Sequence, residues 1–253
     1  MKTERQQLSG WGNTAPSVAS VVVATDAELS GANALAALGD TSRGVIVRGL
    51  GRSYGDPAQN GGGTVLRIDS DAAPIVLDPD AGTVTVGAGV SLDAGTRFVT
   101  VGGCIASDVH GKNHHADRSF GSHVLAMTML LADGSIHDIT PASHPDLWWS
   151  TIGGMGLTGI IVTATFRLIP IETGRFLVTT QRVPNLDELL ERMEQADHQY
   201  RYSVAWIDLV ATGSSLGRSV LSCGNHATLN ELRSYLPSAA GDPLAFDPPA
   251  LPG

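Results

Sequence analysis

The order strand, helix, strand between Val21 and Arg48 constrains the fold of this chain more than any other feature. Val21 to Val23 is a β-branched run, and Thr25-Asp-Ala-Glu28 has the spacing of a capping box that opens an alanine-rich helix ending near Gly39. Gly44 to Arg48 then reads as a second, buried strand. Strands joined by a helical crossover pair in parallel, because only a hairpin reverses the chain directly. Short strands follow near Val65 to Ile68, Ile75 to Leu77 and Thr83 to Val86. Val124 to Leu131 and Ile136 to Ile139 flank an Asp133-Gly134 hairpin turn, and Gly159 to Leu168 continues the antiparallel pattern until Pro170. The expected class is α+β with strands dominating.

From Gly174 the texture changes. A strand at Arg175 to Thr180, an amphipathic helix at Leu186 to Ala196 and strands at Tyr200 to Leu209 and Gly217 to Cys223 read as the start of a second module. The expected division is therefore 1–173 and 174–253, the second part ending in a proline-rich stretch before its sheet closes. With 42% hydrophobic residues in 253, the chain can bury a real core. Its net charge of -9 argues against nucleic acid, which needs a concentrated cationic surface. Cys104 and Cys223 form no CxxC pair, which fits a reducing compartment. No apolar run approaches the roughly 18 residues of a membrane span, so a soluble, cytoplasmic protein is expected.

The glycines and histidines carry the chemistry. Arg48-Gly-Leu-Gly-Arg-Ser-Tyr-Gly-Asp56 follows a strand, and glycines let backbone N–H groups approach an anion closely. A Rossmann fingerprint would open a helix at the third glycine, whereas this loop runs into Asp56-Pro57. A plain glycine-rich turn stays open as the alternative. Gly95 to Gly103 offers further backbone donors to the same anion, and Gly153 to Gly159 either packs on a flat ring or simply reverses the chain. His110, His114, His115 and His123 lack a metallohydrolase spacing, and no metal is expected. Trp148 and Trp149 read as helix-face core.

Taken together, Arg48 to Asp56, Thr100-Val-Gly-Gly103, His110-Gly-Lys-Asn-His-His115 and Gly154-Met-Gly-Leu-Thr-Gly159 resemble the PCMH-type FAD-binding domain of the vanillyl-alcohol oxidase superfamily. Within it, they resemble the oxidases of polyprenyl-phosphate ribose that serve arabinan synthesis for actinobacterial cell walls. The match also takes in Gly10-Trp-Gly-Asn-Thr-Ala-Pro-Ser17 and Tyr202-Ser-Val-Ala-Trp-Ile-Asp208, and the His-Gly-Lys-Asn-His-His string is its most specific part.

The resemblance implies a small strand-helix-strand subdomain, a mainly antiparallel subdomain and the start of a substrate domain. It implies FAD against Arg48, Gly49, Leu50, Gly51, Arg52, Ser53, Tyr54, Gly55, Asp56, Gly95, Thr100, Val101, Gly102, Gly103, His110 and Ile161. Tyr54 stands where several relatives carry a flavin-linking histidine, so the FAD is expected to be noncovalent. His110 and Lys112 would border the sugar and its phosphate. The implied reaction moves a hydride from the sugar C2 carbon to flavin N5, and a partner short-chain reductase completes the epimerisation. A sugar or aldonolactone oxidase on the same fold, or a non-catalytic flavin-binding remnant, are the alternatives.

Three departures accompany the resemblance. Between Asp93 and Gly95 the chain lacks roughly sixteen residues of the family pattern, more than an ordinary loop trim. Met155 replaces an asparagine. The family's catalytic lysine, active-site cysteine and flavin-contacting tyrosine have no counterpart here, so no catalytic residue is assigned.

Overall fold

The computed structural model describes residues 1–39, 41–70, 74–92 and 98–245. They fall into two compact units, Met1–Val109 with Ser119–Leu168, and His110–Arg118 with the chain from Ile169 onward.

The first unit opens with β1 (Lys2–Leu8) and β2 (Ser17–Thr25), then α1 (Asp26–Leu29), α2 (Ala34–Ala37), β3 (Val45–Val47) and β4 (Thr64–Asp69). These strands form one sheet in the order β1-β2-β4-β3. The parallel pairing expected from the crossover is present, but β4 lies between the two strands it joins: Val22 pairs with Leu66, and Val47 pairs with Leu66 from the other side. Thr25 caps α1 with a full capping box, its hydroxyl accepting from the Glu28 N–H while the Glu28 carboxylate accepts from the Thr25 N–H. The single helix expected to run to Gly39 is instead two one-turn helices, with Ser30-Gly-Ala-Asn33 between them. Such short helices are held by packing rather than propensity; Leu29, Ala34 and Leu38 are buried beside Val22 and Leu66. β1 had no sequence signal, because Lys-Thr-Glu-Arg-Gln-Gln carries no apolar face. Its place comes from seven antiparallel pairs with β2.

The second sheet comprises β5 (Val76–Asp78), β6 (Thr83–Gly87), β9 (Val124–Leu130), β10 (Ile136–Ile139) and β11 (Ile160–Arg167), in the order β10-β9-β11-β6-β5 and antiparallel throughout. Between β6 and β9 come the two-residue strands β7 (Ser91–Leu92) and β8 (Val99–Thr100), paired with each other, and α3 (Val101–Ala106). The one-turn α4 (His114–Asp117) follows and belongs to the second unit. Alternation along β9 buries Met127 and Met129, and a register shift between Ile161 and Thr163 of β11 turns both Ile161 and Ala164 to the same core, with Val101 and Ile105 of α3. On α5 (Pro145–Thr151) Trp148 is 1% exposed and joins that core, whereas Trp149 is 63% exposed. Adjacent helical positions diverge by about 100°, so the pair could not both face inward.

In the second unit, β12 (Phe176–Val183), β13 (Tyr202–Ile207) and β14 (Ser219–His226) form an antiparallel sheet in the order β12-β14-β13. α6 (Leu186–Asp197) packs on one face through Leu189, Met193 and Ala196 against Leu221 and Cys223. α7 (Leu229–Tyr235) follows β14, opened by a capping box at Thr228 and Glu231. Among the described residues no helix is long and apolar enough to cross a membrane.

Candidate cofactor site

The crossover topology leaves a cavity at the C-terminal ends of β3 and β4, where open parallel sheets commonly take ligands. It measures about 100 Å³ and is lined by Arg48, Gly49, Leu50, Arg67, Ile68, Gly89, Thr100, Gly102, Gly103, Met155, Gly156, Gly159 and Ile161. Pockets for whole drug-sized ligands run to roughly 300–1,000 Å³, so this one suits a phosphate-sized part of a larger molecule. A larger groove of about 660 Å³ lies on the second unit beside Arg182, Trp206 and Arg218. The glycine motifs converge on the smaller cavity, and the chemistry favours it over size.

Close approach explains the first glycine of the loop. A Cβ at Gly49 would stand 2.5 Å from Thr100 Oγ1. At Gly51 (φ +69°) a Cβ would collide with the Arg48 guanidinium. The outer part of the loop is held by the chain start: Trp11 N–H donates to the Ser53 carbonyl (2.7 Å), Gly12 N–H donates to the Tyr54 carbonyl (3.2 Å), and the Trp11 and Tyr54 rings meet edge to face. None of the N–H groups from Gly49 to Asp56 donates to an acceptor among the described residues. Successive unsatisfied N–H groups at a glycine loop are the raw material of an anion nest.

Arg48 brings charge but few free donors. Its guanidinium donates to the Ser9 carbonyl (2.6 Å) and the Ala58 carbonyl (3.2 Å), clamping the chain start and the loop's return. Burial, and secondarily the charge of Arg67, push its pKa below the ordinary arginine value.

The Thr-Val-Gly-Gly segment corrects an expectation. Val101 N–H donates to the Val90 carbonyl (2.9 Å), Gly102 N–H to the Ala88 carbonyl (2.8 Å), and Gly103 N–H to Thr100 Oγ1 (3.2 Å), the N-cap of α3. These donors are already engaged, so the segment forms a wall rather than a second set of anion donors. Val101 does not line the cavity at all; its side chain is fully buried in the core. Gly51, Arg52, Ser53, Tyr54, Gly55 and Asp56 do not line it either. Arg52 stacks over Phe98 at 4.4 Å, and Tyr54 is 75% exposed. Gly95 lies outside the described residues.

Beneath the cavity a polar relay supports the turn after β6. Gly89 N–H donates to Ser70 Oγ (3.0 Å), and Ser70 Oγ donates to Asp26 Oδ1 (3.1 Å), while Asp26 Oδ2 is buried without a partner among the described residues. Burial of that carboxyl is the main cause of its raised pKa. Neither Arg67 nor Ser70 carried a sequence motif, and Asp26 had only its place in the capping box; what brings them to the site is adjacency of α1, β4 and the turn after β6. Cys104, 1% exposed on α3, has its thiol pKa pushed up to about 11 by burial, which keeps it in the unreactive thiol form.

In the second unit the His110-Gly-Lys-Asn-His-His segment is firmly fastened. Arg201 donates to both carboxylate oxygens of Asp117, Asn113 donates to Asp117 Oδ2 (2.7 Å), and Ser203 N–H donates to the Lys112 carbonyl (2.9 Å). His115 Nε2 bonds the Tyr200 carbonyl at 3.0 Å. His114 and His115 are thus a hydrogen-bonded turn, while His110 and Lys112 keep exposed side chains. Among the described residues, no three His, Cys, Asp or Glu side chains form a metal-binding group.

The residues present fit the diphosphate region of FAD: glycine walls, unsatisfied N–H groups and two cations with no carboxylate in the lining. Residues 19–140, which include β3, the loop and α3, match the family described as FAD binding domain. Over 98% of its length the chain is 45% identical to decaprenylphosphoryl-beta-D-ribose oxidase of Mycolicibacterium smegmatis, covering 57% of that protein. Glucooligosaccharide oxidase of Sarocladium strictum is 28% identical over 54% of the chain and 30% of its own length. L-gulonolactone oxidase of Mus musculus is 30% identical over 38% of the chain and 22% of its own. The chain therefore spans just over half of the first relative and less of the others. The first alignment runs to 269 positions against 253 residues, so at least 16 positions of that relative have no counterpart here. By its matched region and its relatives, this chain carries an FAD binding domain over residues 19–140 and is similar along nearly its whole length to the N-terminal part of a flavin-linked sugar oxidase.

Proposed function

We propose that this chain is the FAD-binding part of a sugar oxidoreductase, and that its first unit is the PCMH-type domain and its second the start of a substrate domain. The observation that carries the reading is the cavity at the ends of β3 and β4, with its uncommitted loop N–H groups and paired arginines inside the matched FAD binding domain. Gly49 and Leu50 bind the diphosphate through backbone N–H groups, Arg48 holds the loop closed on Ser9 and Ala58, and Ile161 with Gly156 and Gly159 supplies an apolar wall. The chemistry supplied by a bound flavin is two-electron oxidation, with hydride taken at N5 from the C2 carbinol carbon of the sugar.

The relative named for decaprenylphosphoryl ribose supports a polyprenyl-phosphate sugar as substrate. His110 and Lys112 then bind the sugar and its phosphate, and a separate reductase takes the keto sugar onward. Work in the cytoplasm fits two unpaired cysteines. An aldonolactone or oligosaccharide oxidase is less well supported, since those relatives match only 38% and 54% of the chain.

The test is an absorption spectrum of the purified protein before and after added FAD, followed by heat release of bound flavin. Flavin bands with FAD freed on heating are expected, followed by bleaching on addition of the polyprenyl-phosphate sugar. A protein that stays colourless in excess FAD would overturn the cofactor reading.

A further inference from the structure

Arg67 is the residue in the cavity that neither the glycine motifs nor the fold requires. It lies on β4 one step beyond Leu66, the last residue paired to β3 at Val47, so Arg48 and Arg67 are the next two residues on adjacent parallel strands. The Arg48 N–H donates to the Leu66 carbonyl (2.8 Å), which fixes that alignment. Both residues line the same cavity, and the charge of Arg67 is felt at Arg48 as a further depression of its pKa. Like charges facing one another across neighbouring strands are destabilising. In a chain of net charge -9, an acidic partner between them would be easy to supply, yet none lines the cavity. Asp69, two residues along β4, is not in the lining either.

The two arginines differ in what they can still do. Arg48 has its guanidinium donors on the Ser9 and Ala58 carbonyls, so it contributes charge from a fixed position. Arg67 is exposed, and its guanidinium makes no hydrogen bond or ion pair with any described residue. Its planar fork is free to close on an anion seated over Gly49 and Leu50, with the geometry that suits bidentate phosphate recognition.

We propose, resting on the flavin reading above, that Arg67 is a cofactor-binding residue that closes on the diphosphate and makes this cavity select a diphosphate-bearing flavin over riboflavin. An anion between Arg48 and Arg67 turns their repulsion into two attractions, which is why the pair persists without an acid. Backbone N–H groups set where the diphosphate lies; Arg67 sets how strongly charge is rewarded there.

The experiment compares the wild-type protein with Arg67→Gln and Arg67→Lys, using FAD, riboflavin and inorganic pyrophosphate as separate probes. Flavin affinity is read by fluorescence titration at two salt concentrations, and pyrophosphate binding by the rise in Tm. Arg67→Gln should lower FAD affinity about tenfold or more, as expected for one lost charge-assisted contact. It should leave riboflavin affinity unchanged and flatten the salt dependence of FAD binding. Arg67→Lys should recover the salt dependence but only part of the affinity, since an ammonium cannot grip bidentately. An Arg67→Gln protein with unchanged FAD affinity and salt dependence would overturn the proposal. A wild-type protein that stays colourless but is stabilised by pyrophosphate, with that effect lost in Arg67→Gln, would overturn the flavin reading and leave Arg67 as an anion-binding residue. Equal pyrophosphate stabilisation of wild type and Arg67→Gln would overturn the Arg67 assignment itself.

Discussion

The loop at 48–56 and the helix at 101–106 both bring glycines to one cavity, and they use them in opposite ways. In the loop, glycine permits close packing against Thr100 and leaves a run of N–H groups without acceptors among the described residues. In the helix, the N–H groups of Val101, Gly102 and Gly103 already donate to Val90, Ala88 and Thr100; Gly102 lets the turn after β6 come near, and Gly103 lets the Thr100 hydroxyl cap the helix. A Cβ at Gly102 would stand 3.0 Å from the Ala88 side chain, so the missing side chain is a packing requirement. Glycine density therefore says where backbone comes close, while the hydrogen-bond partners say which backbone can bind.

The harshest way to break this distinction is Gly49→Val. Its Cβ would meet Thr100 Oγ1, a stiff side chain that is 7% exposed and already caps α3, so neither partner can yield cheaply. We expect a stability loss of about 1–3 kcal/mol from overpacking and a fall in FAD affinity of about a hundredfold or more, roughly 2.7 kcal/mol. Urea denaturation and flavin titration on the same preparation check both numbers. Unaltered flavin affinity in a folded Gly49→Val protein would remove the loop from the site.

Thr100→Val probes the other segment and should separate stability from binding. Losing the cap to Gly103 costs about 1 kcal/mol, read as a lower urea midpoint. Because the helix is a wall rather than a donor, FAD affinity should change by no more than about threefold, under 1 kcal/mol. A loss of binding as large as that of Gly49→Val would mean that α3 presents its N–H groups to the cofactor after all.

The sequence carried the local signals of this site better than its connections. Capping at Thr25, the hairpin at Asp133-Gly134 and the strand-loop order at Val45 to Asp56 each depend on neighbours a few residues away, and each is present. The insertion of β4 between β2 and β3 depends on pairing across some forty residues, which no periodicity encodes. The same holds for the site. Loop glycines are visible as a motif, but Arg67 sits in Thr-Val-Leu-Arg-Ile-Asp, an ordinary strand, and acquires meaning only through the register that sets it beside Arg48. The Asp26–Ser70–Gly89 relay joins three segments in the same way. Engagement of the Gly102 and Gly103 donors was equally hidden, because it is settled by the carbonyl of Ala88 and the hydroxyl of Thr100.

Met155 offers the finest adjustment of the comparison, because it lines the cavity opposite both glycine segments. Its backbone has φ of +53°, in the left-handed region where asparagine is several-fold enriched and methionine is strained. The conformation is enforced from outside: Met155 N–H donates to the Ala106 carbonyl at the end of α3, and glycines flank it on both sides. The side chain is 47% exposed, so little packing compensates for the strain. Met155→Asn should therefore raise stability by about 0.5–1 kcal/mol, a part of the left-handed penalty, and supply a polar group to the cavity wall. Differential scanning calorimetry without flavin isolates the backbone effect, since only relief of strain can raise the apo Tm. FAD titration then reports the polar contact, expected at no more than a few-fold. An apo Tm that falls would show that the thioether's contact with Ser107 Oγ, at 3.9 Å, matters more to this turn than its φ.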